Sequence, residues 1–244
     1  MRHRLLHRVL AAGALVALAC PAAVAAADAP AMSGSVRLSD ERLESRWAHA
    51  VQAAVIFAEP RYTERPLGRL RFFTEDHFPE VYIALQRVTD DQGRAWVQVR
   101  IPKRPNGQVG WVPRAALGEF TINRQQLTID RTRLRAVLRD RGKVVWRAPV
   151  GIGAPGTPTP PGDFYVREKF RFDNVALYGT RAIGTSAYAP TLSDWPGGGV
   201  VGIHGTSQPE LIPGRPSHGC VRVRNPDVER LWKRIRIGTP IRIV

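Results

Sequence analysis

The chain has 244 residues, 43% of them hydrophobic and 23% charged, which fits one large or two small domains and excludes wholesale disorder. Its formal charge of +15, from 36 Lys+Arg against 21 Asp+Glu, raises nucleic acid, anionic membranes and acidic polymers as partners. Its two cysteines exclude a disulfide-rich scaffold and a Cys₄ zinc site.

Residues 1–27 read as a secretory signal peptide. Arg2, Arg4 and Arg8 precede an apolar run over 9–19, too short for a bilayer, which needs about 20 residues. Ala25-Ala26-Ala27 before Asp28 fits a small-residue cleavage site, as does Ala23-Val24-Ala25. An uncleaved anchor helix is the alternative, and Cys20 is open to lipidation. If Cys20 leaves with the leader, Cys220 is a lone thiol in an oxidising compartment, which flags reactivity. The expected location is beyond the cytoplasmic membrane, in periplasm or cell wall, with no transmembrane segment in the mature chain.

Residues 28–50 read as a linker and helical segment. A helix over 40–56 would take Ser39 as cap and place Leu43, Trp47, Ala50, Val51 and Ala54 on one side, although Ala53–Phe57 fits the start of a strand equally well. Residues 51–118 read as all β, with short apolar runs (81–85, 96–99) separated by turns such as Asp90-Asp91-Gln92-Gly93. The segment from Trp96 through Gly110-Trp111-Val112 resembles a bacterial SH3-like barrel. That resemblance implies a small binding module, and a β-rich pro-segment without a ligand is the alternative.

Residues 119–244 form the second region, again β-rich. Leu134, Ala136 and Leu138 alternate with arginines, and after Asp140-Arg141-Gly142 the residues Val144, Trp146, Ala148 and Val150 alternate again, which predicts a hairpin with one buried and one arginine-lined face. A helix is predicted near the end, with Asn225 as N-cap, Pro226 at its first position and Val228, Leu231, Trp232 and Ile235 as its apolar stripe. Gly238 ends it, and 241–244 closes as a strand.

The stretch 202–224 holds two of the six histidines, His204 and His218, together with Cys220. A nucleophilic cysteine needs a thiolate, a base or counter-charge that makes it, and donors for the oxyanion. A histidine is available as base, and Gly219 permits a tight turn with backbone N–H groups facing a carbonyl oxygen. If Val221 and Val223 bury one face of a strand, Cys220, Arg222 and Arg224 share the other, and Arg222 either lowers the thiol pKa or holds a substrate carboxylate. A packed core cysteine and a zinc site built from His204, His218 and Cys220 are the alternatives.

The pattern His204-Gly205…Ser217-His218-Gly219-Cys220-Val221-Arg222 resembles the active-site signature of the YkuD-type L,D-transpeptidase catalytic domain family. The resemblance extends to Val150-Gly151-Ile152-Gly153…Thr157-Pro158-Thr159-Pro160-Pro161-Gly162-Asp163-Phe164, with Pro161 an added proline in the turn, and to Asn225-Pro226-Asp227 and Gly238-Thr239-Pro240-Ile241. It implies a mainly β protein: a sandwich- or barrel-like catalytic domain with one helix near its C-terminus, behind the small SH3-like barrel. It implies Cys220 as nucleophile, His204 as proton acceptor and donor, and the Gly205 carbonyl orienting His204. His218 and Gly219 are implied at the oxyanion pocket, Ser217 in support of the turn, Arg222 at the substrate or holding the site together, and Tyr188 at the donor pocket, with a structural core tyrosine as the alternative. The implied reaction is acyl transfer on peptidoglycan stem peptides, forming 3→3 cross-links with release of D-alanine and requiring no cofactor or metal. An L,D-carboxypeptidase on the same scaffold and a non-catalytic wall-binding protein are the rivals. Residues 120–244 carry 20 basic and 9 acidic residues, so the charge excess lies in the catalytic half. Stem-peptide carboxylates and wall polymers are then the expected anions, and nucleic acid is not expected.

Overall fold

The computed structural model describes residues 34–173, 177–192 and 198–244, so the predicted leader, with Cys20, lies outside the described residues. The N-terminal region contributes β1 (Val36–Arg37), β2 (Ser45–Ala48), β3 (Val55–Ile56), β4 (Gly68–Arg69), β5 (Tyr82–Thr89), β6 (Ala95–Arg100), β7 (Val109–Pro113) and β8 (Thr121–Asn123). One sheet runs β7-β6-β5-β2-β8 with β1 also on β5, and β3-β4 is a separate ribbon. Tyr82, Val97, Val99 and Val112 are in its core, and the Trp96 indole donates to Asp90 Oδ2 at 2.9 Å. This sheet takes β1 and β2 from before residue 51 and β8 from after residue 118.

No helix forms over 40–56. The Asp40 carboxylate instead accepts the backbone N–H groups of Arg42, Leu43 and Glu44 (2.8, 2.7 and 3.0 Å), which closes a turn. Ser39 accepts the Arg46 N–H and donates to the Ala84 carbonyl, so it serves the sheet. β2 then lies between β5 and β8, and the expected helical stripe is broken, with Leu43 59% and Val51 56% exposed. The strand alternative near residue 55 is the one realised, as β3.

The C-terminal region contributes β9 (Gln125–Asp130), β10 (Arg135–Asp140), β11 (Lys143–Pro149), β12 (Gly151–Gly153), β13 (Gly162–Arg171), β14 (Arg181–Tyr188), β15 (Val200–His204), β16 (Gly214–Ser217), β17 (Val221–Arg222), α1 (Asn225–Arg234) and β18 (Pro240–Ile243). Its ten strands run β11-β10-β9-β18-β13-β14-β15-β17-β12-β16. The protein is mainly β, and α1 is the one α-helix among the described residues.

The predicted β10–β11 hairpin forms. Arg141 and Gly142 both take positive φ (48° and 76°), the conformation a two-residue turn of matching twist requires. A register shift after Leu138 breaks the expected alternation. Leu138 faces Trp146 while Arg139 faces Val144, so Val145 is the extra residue and Val144 is 51% exposed. Trp146, Ala148 and Val150 remain in the core.

α1 packs Val228 and Leu231 against β14 and β11, with Ile235 following buried. Its cap is Arg224 rather than Asn225, whose side chain is committed elsewhere. The N- and C-terminal sheets meet through Val81, Ile83 and Tyr165, and the Tyr165 hydroxyl donates to the Val81 carbonyl at 2.8 Å. Beside them the buried Arg167 pairs with the buried Glu80 at 2.6 Å and with Glu75 at 2.9 Å. Such a pair is costly to break, because the abandoned charge stays desolvated.

Candidate active site

β15 and β17 run parallel in register, Ile203 beside Val221 and His204 beside Arg222. Cys220 enters β17 one residue before this pairing, and its sulfur accepts the Gly202 N–H at 3.4 Å. His204 and Cys220 together line two adjoining cavities. The sequence cluster is therefore brought to one place by strand pairing.

His204 is buried, and its Nδ1 lies 2.6 Å from the Gly205 carbonyl oxygen. A carbonyl only accepts, so Nδ1 carries the proton and Nε2 keeps a lone pair. The ring stands edge-on to Tyr178 at 5.0 Å. Gly205 has no room for a side chain, since a Cβ there would meet Asn225 Oδ1 at 2.1 Å. The Asn225 amide grips Thr206 at both main-chain groups, accepting its N–H and donating to its carbonyl, each at 3.0 Å. Asn225 thus fixes the segment that holds His204, a role hidden in the sequence because Asn-Pro before a helix reads as a cap.

The cysteine turn is held from below. Ser217 donates to the Cys220 carbonyl at 2.5 Å and accepts the Gly219 N–H at 3.2 Å. Gly219 has φ +123°, a conformation that side chains disfavour. Its N–H is already committed to the Ser217 hydroxyl. Thr159 donates to the Gly219 carbonyl at 2.7 Å and accepts the Gly153 N–H at 2.9 Å, and Thr157 donates to the Ser217 carbonyl at 3.3 Å. These two threonines were part of the sequence pattern but not of the expected site.

His218 is exposed and lines the first cavity with Arg222. Arg222 donates to Gln208 Oε1 at 3.2 Å, while its buried Nε–H has no hydrogen-bond partner among the described residues. Tyr188 lines neither cavity. Its hydroxyl donates to Glu75 Oε1 at 2.6 Å, and Arg104 stacks over its ring. Among the described residues, no group of three His, Cys, Asp or Glu side chains is placed to hold a metal ion.

Burial pushes the His204 imidazole down to about 4, with the Gly205 carbonyl opposing and the Arg222 charge adding. Burial pushes the Cys220 thiol up, opposed by the Gly202 N–H and Arg222. Arg222 does favour the thiolate, as anticipated, but burial outweighs it. Burial thus favours the uncharged form of both groups.

A thiol and an imidazole locked by a main-chain carbonyl, side by side on a mainly β scaffold, are the elements of a nucleophilic acyl-transfer site. Residues 124–243 match the family model described as YkuD, L,D-transpeptidase catalytic domain. YqjB of Bacillus subtilis (strain 168), provisionally named an L,D-transpeptidase, is 32% identical over 120 residues, covering 46% of this chain and 66% of that protein. The catalytic domain of Enterococcus faecium L,D-transpeptidase is 28% identical, with TM-score 0.37, covering 49% of this chain and 96% of that one. L,D-transpeptidase 3 of Mycobacterium tuberculosis is 14% identical, with TM-score 0.42, over 62% of this chain and 91% of that one.

Proposed function

We propose that the protein is a peptidoglycan L,D-transpeptidase that forms 3→3 cross-links through an acyl-enzyme on Cys220. The observation that carries this reading is the Nδ1 bond of His204 to the Gly205 carbonyl at 2.6 Å, which leaves Nε2 as a base in the cavities that Cys220 also lines. The Cys220 sulfur attacks the carbonyl of the third residue of a donor stem as Nε2 takes its proton. The Cys220 N–H, in a turn shaped by His218 and Gly219, stabilises the oxyanion. His204 returns the proton to the terminal D-alanine, which leaves as a free amine, and a thioester remains. A side-chain amine of a second stem then attacks the thioester and releases the thiol. The thiol and imidazole do the proton work, so no cofactor enters.

The Arg222 guanidinium, at the lining of the first cavity, suits a substrate carboxylate. Tyr188 supports the site from outside the cavities. The reading includes export by the leader over residues 1–27, action in the periplasm or cell wall, and wall polymer as partner of the SH3-like N-terminal region. No helix among the described residues is long and apolar enough to cross a membrane.

Incubation with a disaccharide-tetrapeptide, followed by mass analysis, tests the proposal. The expected result is an acyl adduct on Cys220 and dimers formed with loss of D-alanine. Tripeptide as sole product would establish an L,D-carboxypeptidase instead. Absence of an adduct, with Cys220→Ala behaving as wild type, would refute the catalytic reading altogether.

A further inference from the structure

The two cavities beside Cys220 differ in chemistry. The first has Arg222 and His218 at its polar side. The second has Asp76 and Glu168 beside an aromatic wall of Phe170, Phe172 and Tyr178. The wall is continuous: Phe170 and Phe172 stack at 6.0 Å, Phe172 meets Tyr178 at 5.7 Å, and Tyr178 meets His204 at 5.0 Å. It leads from the carboxylates to the reacting pair.

The carboxylates are not neutralised from behind. Arg71 and Arg167 lie close by, but each is paired with both Glu75 and Glu80 at 2.6 to 2.9 Å. That four-membered network balances itself. Asp76 and Glu168 enter no salt bridge among the described residues. Glu168 is buried and accepts the Thr74 hydroxyl at 2.6 Å, which ties the loop over residues 74–78 to the cavity. Burial raises the Glu168 carboxyl, and Asp76 and Glu75 add to that rise while Thr74 and Arg167 oppose it. A cation entering here would relieve the crowding of negative charge. Aromatic faces and carboxylates together suit an alkylammonium ion, and its uncharged form is the nucleophile the second half-reaction needs.

We propose that the second cavity admits the acceptor as an alkylammonium ion selected by Asp76 and Glu168, so that the N-terminal region supplies a specificity-determining residue of the transfer step. The inference rests on the transpeptidase reading above. On arrival the ammonium loses one proton to solvent. The amine nitrogen attacks the thioester carbon, forming C–N as C–S breaks. Its second proton passes through His204 to the Cys220 sulfur, restoring the thiol.

The test uses the full chain, the disaccharide-tetrapeptide as donor, and two acceptor probes at pH 7: n-butylamine, which is cationic, and hydroxylamine, which is uncharged. Glu168→Gln keeps an oxygen for the Thr74 hydroxyl, and Asp76→Asn alters an exposed position. Glu168→Gln is expected to lower kcat/KM for n-butylamine about tenfold, and Asp76→Asn, more screened, about threefold. Transfer to hydroxylamine should fall far less in both, and added salt should erode the wild-type preference for the amine. Equal losses with both probes would make these residues merely structural and overturn the proposal. Unchanged amine transfer would overturn it as well. A wild-type enzyme that forms no Cys220 adduct would instead refute the transpeptidase reading, and this inference with it.

Discussion

Thr159→Val isolates what holds the nucleophile turn. The exchange keeps the shape of a fully buried side chain and removes one hydroxyl. That hydroxyl serves two main-chain groups, the Gly219 carbonyl at 2.7 Å and the Gly153 N–H at 2.9 Å. An orphaned buried backbone group costs about 1–3 kcal/mol, so two cost about 2–6 kcal/mol before relaxation. Relaxation is limited, because Gly153 is pressed against the 157–159 backbone, where an added Cβ would meet Thr157 O at 2.2 Å. The turn retains the Ala154 N–H and Thr157 hydroxyl on the Ser217 carbonyl, which keeps the cost near the lower half of that range. A loss of about 3 kcal/mol corresponds to about 6–12 °C in Tm for a region of this size. Acylation by a carbapenem, followed by mass, should slow at least tenfold, since Gly219 precedes the nucleophile. Thr159→Ser, which keeps the hydroxyl, should recover most of both losses. A Val variant that melts within about 2 °C of wild type and acylates at its rate would refute the claim that this threonine organises the turn.

Four further outcomes are expected. The imidazole of His204 sits at about 4 in the fold against 6.5 as its ordinary value, so the unfolded chain binds a proton that the native state refuses. Stability should therefore fall by up to about 3 kcal/mol as pH drops from about 6.5 to about 4 and level off below that; denaturant titrations that give His204→Gln the same slope as wild type would contradict it. For the same reason, carbapenem acylation should stay flat down to about pH 5.5, and an acidic limb near 6.5 would contradict the burial of the imidazole. Asn225→Asp keeps the acceptor for the Thr206 N–H but sets a carboxylate oxygen against the Thr206 carbonyl, so acylation should fall more than tenfold with about 2 kcal/mol lost in thermal unfolding. Arg104 donates to the carbonyls of Gly198, Leu192 and Ala189 at 2.8, 2.7 and 3.2 Å, bracing the wall of the first cavity, so Arg104→Ala should raise the donor KM about fivefold and move kcat less.

The parts of the fold legible in the sequence were those where pattern and tertiary context agree. Ala136, Leu138, Trp146, Ala148 and Val150 of the predicted hairpin met a buried face, and Val228, Leu231 and Ile235 matched the helical period with polar residues opposite. Residues 40–56 failed because short apolar spacing serves either period, and the Asp40 turn with β5 and β8 on each side decided for strand. Val145 shows a second limit: a bulge shifts a face by one residue without changing composition. At the site, His204 and Cys220 were legible because they stand close in sequence. Asp76, Asn225 and the Tyr188–Glu75 contact were not, since each acts across a chain separation that only the folded sheets close.

Arg222 shows how the structure changes a chemical argument that the sequence made plausible. A cation beside a thiol lowers the thiol pKa, and Arg222 acts in that direction on Cys220. The same charge lowers the imidazole of His204, where it disfavours the protonated form. Moving a proton from sulfur to Nε2 creates one negative and one positive charge within reach of the same guanidinium. Its two effects oppose each other, so Arg222 gives the ion pair little net support. What remains distinctive is that Arg222 lines the first cavity, while its buried Nε–H has no partner among the described residues. On the proposed reading, the arginine beside the thiol is therefore better matched to holding the substrate than to activating the nucleophile, and activation falls to the Gly205–His204 lock and to the moment when substrate excludes water.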